Sequence, residues 1–491
     1  MSKHVLLVEP AYRSKYPPLG LMKISQYHKS RKDHVEFVKG LSPQKRDRSR
    51  KWDRIYVATL FTYDWKHVVE ALTFYSSAVK EPAAENLVVG GVLATLMGDA
   101  LRETVECKVV SGLLDHKGKL GRGASEDVDT MLPDYGILGE IEYKYPVSDA
   151  YFAYATRGCI RRCPFCAVWR IEPEFKDFLP LAEQVKQAEQ YGAKRDLVLL
   201  DNNVLASDRF GEIIGEIKRA GFAADARLER TNAAGRSISV RRRVDFNQGM
   251  DIRLLTEDKV ALLAEIAIDP LRLAFDHFAD KEMYSTAVHL AVKRGITRLS
   301  NYLLYNYDDC PEDLYHRLRL SVEMNKSLEV RLFSFPMRYV ALSSKDRLLS
   351  TPGNVGPHWN RKYLRAIQCV LIPTFGAVTH RLDFFEAAFG KDVAEFHKIL
   401  LMPEDYIIHR HDRAADGSTE SWWRGLNDLT HQESSELLDI VLNHKFKGLK
   451  ADGFSHLPSR IKKALDHYLR ASQKQDMEQF APDMPEALVA G

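Results

Sequence analysis

Three of the six cysteines fall within eight residues, in the stretch Thr156-Arg-Gly-Cys159-Ile-Arg-Arg-Cys163-Pro-Phe-Cys166. Thiolates at C-x3-C-x2-C spacing can each take one iron of a [4Fe–4S] cube, which leaves the fourth iron without a protein ligand. An open metal position is what catalysis needs, because a cofactor or substrate can coordinate there. Gly158 and Pro164 suit a short loop that wraps around such a group. Cys107, Cys310 and Cys369 are isolated in the sequence. A structural zinc site or a ferredoxin-type carrier would want a fourth ligand, and none stands at the right spacing; zinc is the main alternative.

Such a loop needs a strand to project it. From about 150 to 340 the pattern reads as six strand–helix units, with strands at Tyr151–Ala155, Asp196–Asp201, Val244–Gln248, Leu271–Asp276, Arg298–Asn306 and Glu329–Phe335. Helical patterns lie between them, such as Leu181–Tyr191 closed by Gly192 and Thr256–Ile266 opened by a threonine cap. Repeated βα units imply a parallel sheet, and six of them a partial TIM-like (βα)6 barrel over 146–345. Polar residues gather where the strands end: Asp201, Asn202, Asn203, Asn247, Gln248, Asp276 and Asn306. That is the catalytic edge of a barrel, although helix capping accounts for some of them equally well.

Residues 1–145 alternate short apolar strands with amphipathic stretches, the rhythm of a doubly wound, Rossmann-like α/β sheet. Gly90 and Gly91 end one of its strands, where ligands of such sheets bind. Met131–Tyr135 reads as a linker. Residues 346–491 are mainly helical, with apolar faces in Phe384–Leu401 and Leu437–Phe446 and a polar end from Ser472 that should fray. A basic segment with Arg227, Arg230, Arg236 and Arg241 to Arg243 precedes the third barrel strand; it reads as a solvated loop, a nucleic-acid arm being the alternative.

Composition limits the classes. The 491 residues carry a net charge of only +3, so no global field draws the chain to nucleic acid or to an anionic membrane. There is no run of about 20 apolar residues and no signal peptide, and six cysteines make no disulfide framework. A reducing cytoplasm is the expected compartment.

The cysteine stretch, with Phe165 before the last cysteine, closely resembles the signature of the radical S-adenosylmethionine superfamily. The resemblance covers roughly residues 150–340. It implies a [4Fe–4S] cluster on Cys159, Cys163 and Cys166, chelation of its fourth iron by S-adenosylmethionine, and reductive cleavage to a 5′-deoxyadenosyl radical. Asp201-Asn202-Asn203 stands where members receive the methionyl amino group, in place of the commoner glycine-glycine-glutamate. Asn306 stands on the adenine side where glycine is usual. Asn247, Gln248, Arg253 and Asp276 are placed to reach ribose or substrate, a cap or an internal ion pair being an equal alternative.

The segment ahead of the barrel resembles the cobalamin-binding domain of one subfamily, through Leu6–Pro10, the turn Tyr16-Pro17-Pro18-Leu19-Gly20-Leu21 and Val89-Gly90-Gly91. The cobalt-ligating motif D-x-H-x-x-G is missing. Methyl transfer is the expected reaction if cobalamin binds. Without it, hydrogen abstraction with rearrangement, cyclisation, sulfur insertion or nucleic-acid modification stays open. A noncatalytic iron–sulfur or zinc scaffold is the rival reading. A small-molecule or short-peptide substrate is expected, with flavodoxin or ferredoxin as reductant.

Overall fold

The computed structural model describes residues 2–121, 126–177, 180–342, 354–443 and 454–474. The expected polar end beyond residue 474 and the last part of the Leu437–Phe446 face lie outside the described residues. The chain divides into two compact units, Met1–Arg272 with Arg294–Ile296 and Val340–Asn354, and Leu273–Lys293 with Thr297–Tyr339 and Val355–Gly491.

The first unit begins with five strands: β1 (His4–Glu9), β2 (His34–Lys39), β3 (Arg54–Thr59), β4 (Leu87–Gly91) and β5 (Lys108–Val110). They pair in the order β2-β1-β3-β4-β5, every ladder parallel. This is a doubly wound sheet of the 2-1-3-4-5 kind, with its switch point between β1 and β3. Leu6, Val8, Ile55, Val57, Leu87 and Val89 are buried against Val68, Leu72 and Leu93. Strands covered on both faces read as near-continuous apolar runs, which is why they stood out in the sequence.

The same unit holds β6 (Ala150–Ala153), β7 (Asp196–Leu199) and β10 (Arg243–Phe246), a parallel sheet in the order β10-β7-β6. The other three expected strands form a second sheet, β11 (Leu271–Ala274), β12 (Arg298–Tyr305) and β13 (Arg331–Arg338), with β12 and β13 parallel. All six expected strands are present, in a mixed α/β fold built on parallel sheets.

Their ends differ from expectation for local reasons. The strands expected to reach Asp201, Gln248 and Asp276 end two residues earlier: Gln248 stands in a turn, the Asp201 carboxylate accepts from Ala155 N and Thr156, and Asp276 Oδ1 accepts from Leu304 N. β13 starts at Arg331, not Glu329, since Glu329 takes a left-handed conformation (φ 52°) as it closes the helix Pro311–Leu328. Thr256 accepts a hydrogen bond from Lys259 N, as a cap should, and Gly192 (φ 90°) closes the turn after Leu181–Ala188.

Two corrections are larger. The apolar face Phe384–Leu401 is two helices, Leu382–Phe389 and Val393–Leu401. Gly390 (φ 93°) breaks them, and Asp392 caps the second. The basic segment is no loop: β8 (Arg227–Thr231) and β9 (Ser237–Arg241) form an antiparallel hairpin outside the three larger sheets. Among the described residues no helix is long and apolar enough to cross a membrane.

Candidate functional site

The cysteine loop leaves the carboxyl end of β6 and is clasped shut at its base. Arg157 N donates to Lys176 O (3.0 Å) and Lys176 N to Arg157 O (2.9 Å), so residues 158–175 form a closed loop. Gly158 sits at the neck with φ 75°. A Cβ there would lie 3.1 Å from Glu172 O, 2.9 Å from the carbonyl carbon of Glu174, and closer still to its oxygen. No other residue fits that turn.

Buried charges hold the neck. Arg157, 4% exposed, makes a two-pronged ion pair with Asp129 (3.0 and 3.1 Å) and a second pair with Glu172 (3.2 Å), and stacks on Tyr154 at 3.8 Å. Glu172 also accepts from Gly158 N (2.6 Å) and from Asn202 Nδ2 (3.0 Å). Removing one partner of such a set would strand a buried charge, which is why the set works as a unit.

Asp201 joins the ends of β6 and β7. Its carboxylate accepts from Ala155 N (3.0 Å), from Thr156 Oγ1 (2.8 Å) and from Thr156 N. Burial pushes this carboxyl up to about 6, against hydrogen bonds that favour its charged form. These contacts make Asp201 a brace for the strand that launches the loop.

Asn203 is a buried polar residue beside the thiols. It is 3% exposed; its Nδ2 lies 3.4 Å from Cys159 Sγ and 3.4 Å from Asp251 Oδ2, while its Oδ1 is buried without a hydrogen-bond partner among the described residues. Asp251 in turn grips two arginines, Arg161 Nε on Oδ2 (2.6 Å) and Arg253 Nε on Oδ1 (2.6 Å), and Arg253 reaches the Cys163 thiol. Burial alone would raise the Asp251 carboxyl; the two guanidiniums outweigh it and hold the pKa below its ordinary value.

The sulfurs also receive backbone donors: Arg161 N to Cys159 Sγ (3.3 Å) and Val168 N to Cys166 Sγ (3.5 Å). N–H groups and cations directed at thiolates are the surroundings an iron–sulfur cluster requires, since they stabilise its negative charge. Among the described residues no three His, Cys, Asp or Glu side chains converge on one point. Three thiols that receive backbone and cationic donors are a donor set of the chemistry that an iron–sulfur cluster takes.

The remaining expected residues lie elsewhere. Gln248 is half-buried in the turn after β10 and makes no side-chain hydrogen bond among the described residues. Its neighbour Asn247 is buried and accepts from Tyr16 OH at 2.6 Å. Asn306, in the second unit, is fully buried at φ 70°, a conformation asparagine tolerates better than most residues. Its amide bonds Tyr339 O (3.0 Å) and Gly356 N (2.7 Å). Asp276 Oδ1 accepts from Leu304 N (3.3 Å). Gly90 and Gly91 end β4; a Cβ on Gly91 would collide with Thr59, so the glycine permits close strand contact. Asp129, Glu172 and Asp251 were not foreseen.

No protein-family model and no curated protein matches the chain. Solved structures similar to it include the radical S-adenosylmethionine methyltransferase TsrM from Kitasatospora setae, with cobalamin and a [4Fe–4S] cluster bound. That match has 16% identity over 69% of this chain and 75% of that one, with a TM-score of 0.47. TsrM with tryptophan substrate and the analogue aza-SAM gives 15%, 69%, 73% and 0.47. HydG, a maturase of the [FeFe]-hydrogenase, gives 16%, 70%, 89% and 0.32.

Proposed function

We propose that the chain is a radical S-adenosylmethionine enzyme, with a Rossmann-like domain over 1–145, a partial barrel over 146–345 and a helical domain over 346–491. The observation that carries the reading is the clasped C-x3-C-x2-C loop at a strand's carboxyl end, with a buried, unpartnered Asn203 Oδ1 beside Cys159. Cys159, Cys163 and Cys166 would hold the [4Fe–4S] cluster, and what such a site supplies is one electron for reductive cleavage of S-adenosylmethionine. Asn203 Oδ1 is an acceptor for the methionyl amino group. Arg161 and Arg253 hold positive charge beside the thiolates, and Asp251 fixes both. Incubating the reconstituted protein anaerobically with dithionite and S-adenosylmethionine should yield 5′-deoxyadenosine or S-adenosylhomocysteine by mass spectrometry. Neither product above the dithionite-only background would reject the reading.

Replacing Asp251 with alanine frees both arginines and removes an anchor of Asn203. The cluster should then be lost to a chelator about 10–100-fold faster, the usual effect of removing a residue that orients metal ligands. Decay of the visible absorbance under EDTA measures it; a rate equal to wild type would remove Asp251 from the account.

Cobalamin-dependent methyl transfer is a second reading, favoured by the 2-1-3-4-5 sheet with Gly90 and Gly91 at its carboxyl edge. Against it, the end of β1 is filled by the chain's own side chains. The buried Glu9 accepts from Ser14 and Tyr145 and pairs with Lys39 (3.1 Å), whose ammonium lies 4.5 Å from the Tyr143 ring centroid. No step here depends on cobalamin. Dialysis of the whole protein against hydroxocobalamin decides: near-equimolar retention selects methyl transfer, and none selects the reactions that do without it.

The substrate we favour is a small molecule or short peptide. Two arginines of the cysteine loop are already engaged, Arg157 by Asp129 and Glu172 and Arg161 by Asp251, whereas Arg162 and Arg170 are exposed without a carboxylate partner among the described residues. A phosphate backbone that used Arg157 or Arg161 would have to displace those pairs.

A further inference from the structure

The hairpin β8–β9 is two-sided. Leu228, Arg230 and Val240 are half-buried, and Arg230 ties the ribbon to Asp149 at 2.8 Å. The opposite face carries Arg227, Glu229, Thr231, Ser237, Ser239 and Arg241, every one exposed, with Arg236 also exposed at the turn. Of a whole-chain net charge of +3, residues 227–243 supply +5 (six arginines, one glutamate) and the remainder −2.

The ribbon also breaks a rule of strand pairing. Arg227 and Arg241 stand directly opposite each other, and like charges in that register repel. Arg227 turns aside to Ser239 Oγ (2.9 Å) and Ser239 O (2.7 Å), and neither Arg236 nor Arg241 has a carboxylate partner among the described residues. A like-charge pair relieved on one side only, with Arg241 left without a carboxylate among those residues, marks a surface that something else completes.

We infer that this face docks the phosphate backbone of duplex DNA. Arginines and hydroxyls are the side chains that contact phosphates, and this open face holds Arg227, Arg241 and, at the turn, Arg236 with Thr231, Ser237 and Ser239 against the single carboxylate of Glu229. A two-stranded ribbon fits the roughly 12 Å major groove of B-form DNA, whereas the major groove of A-form RNA is too narrow for it. The hairpin feeds the amino end of β10, while the cysteine loop leaves the carboxyl end of β6, parallel to β10 on the far side of β7, with strands of roughly 13 Å between those edges. The DNA is therefore a docking partner and not the molecule presented to the cysteines.

The test is fluorescence anisotropy of the full chain with a labelled duplex of about two helical turns, across a salt series. Wild type should bind with a Kd between about 1 and 100 µM, as sequence-independent contacts do. Combining Arg227→Ala, Arg236→Ala and Arg241→Ala should weaken binding at least tenfold and lower the salt slope by about 0.9 for each phosphate no longer neutralised. Unchanged far-ultraviolet circular dichroism of the triple variant excludes misfolding. No binding by wild type, equal binding by the variant, or equal or tighter binding of an RNA duplex or a polyglutamate peptide would each overturn the assignment.

Discussion

Replacing Cys159, Cys163 or Cys166 with alanine, one at a time, is expected to abolish cleavage of S-adenosylmethionine. Each removes one of only three thiolates in the loop; of the other cysteines, Cys107 and Cys369 are buried and Cys310 caps the helix Pro311–Leu328. Iron content should fall with activity, because the cluster cannot be held by two ligands against the chelators of a purification. The fold should survive. The neck of the loop is braced by Arg157, Asp129, Glu172 and Asp201, none of which depends on a sulfur. Loss of iron and turnover with an unchanged thermal transition is the expected pattern. A variant that keeps full iron and turnover would remove that cysteine from the ligand set.

A second large effect should come from Gly158→Ala, although only one methyl group is added. The positive φ by itself costs about 1–2 kcal/mol for a residue with a Cβ. The new atom would also meet the Glu174 carbonyl, which is backbone and part of the clasped loop. The clasp between Arg157 and Lys176 must then open, and the reconstituted protein should hold little iron. Gly192→Ala is the matched comparison: its φ is 90°, but a Cβ there meets nothing within 4 Å. That variant should carry only the conformational penalty and keep its iron. Equal iron content in the two variants would show that the Glu174 contact does not govern the loop.

The strands of the fold were legible because the interior of a parallel sheet excludes water from both faces. Val5 to Val8 and Leu197 to Leu199 could therefore be read as continuous apolar runs. The three thiols were legible because their ligand spacing is local. The braces were not. Arg157 finds Asp129 28 residues away, and Arg161 finds Asp251 90 residues away, so no pattern along the chain joins them. Asp201 illustrates the limit: its place after a strand was readable, but its engagement by Ala155 and Thr156 needed the folded chain. The hairpin had a readable signal, alternation around Asn232-Ala-Ala-Gly235, which its density of arginines obscured.

In the proposed enzyme the three thiols hold a cluster whose fourth iron is open to S-adenosylmethionine. This is tested most directly by metal and sulfide analysis of the anaerobically reconstituted protein, with electron paramagnetic resonance of the reduced sample before and after adding S-adenosylmethionine. About four iron and four sulfide per chain are expected, with a spectrum that S-adenosylmethionine alters because it coordinates the cluster. Stoichiometric zinc without iron, or a cluster spectrum unchanged at saturating S-adenosylmethionine, would contradict this reading.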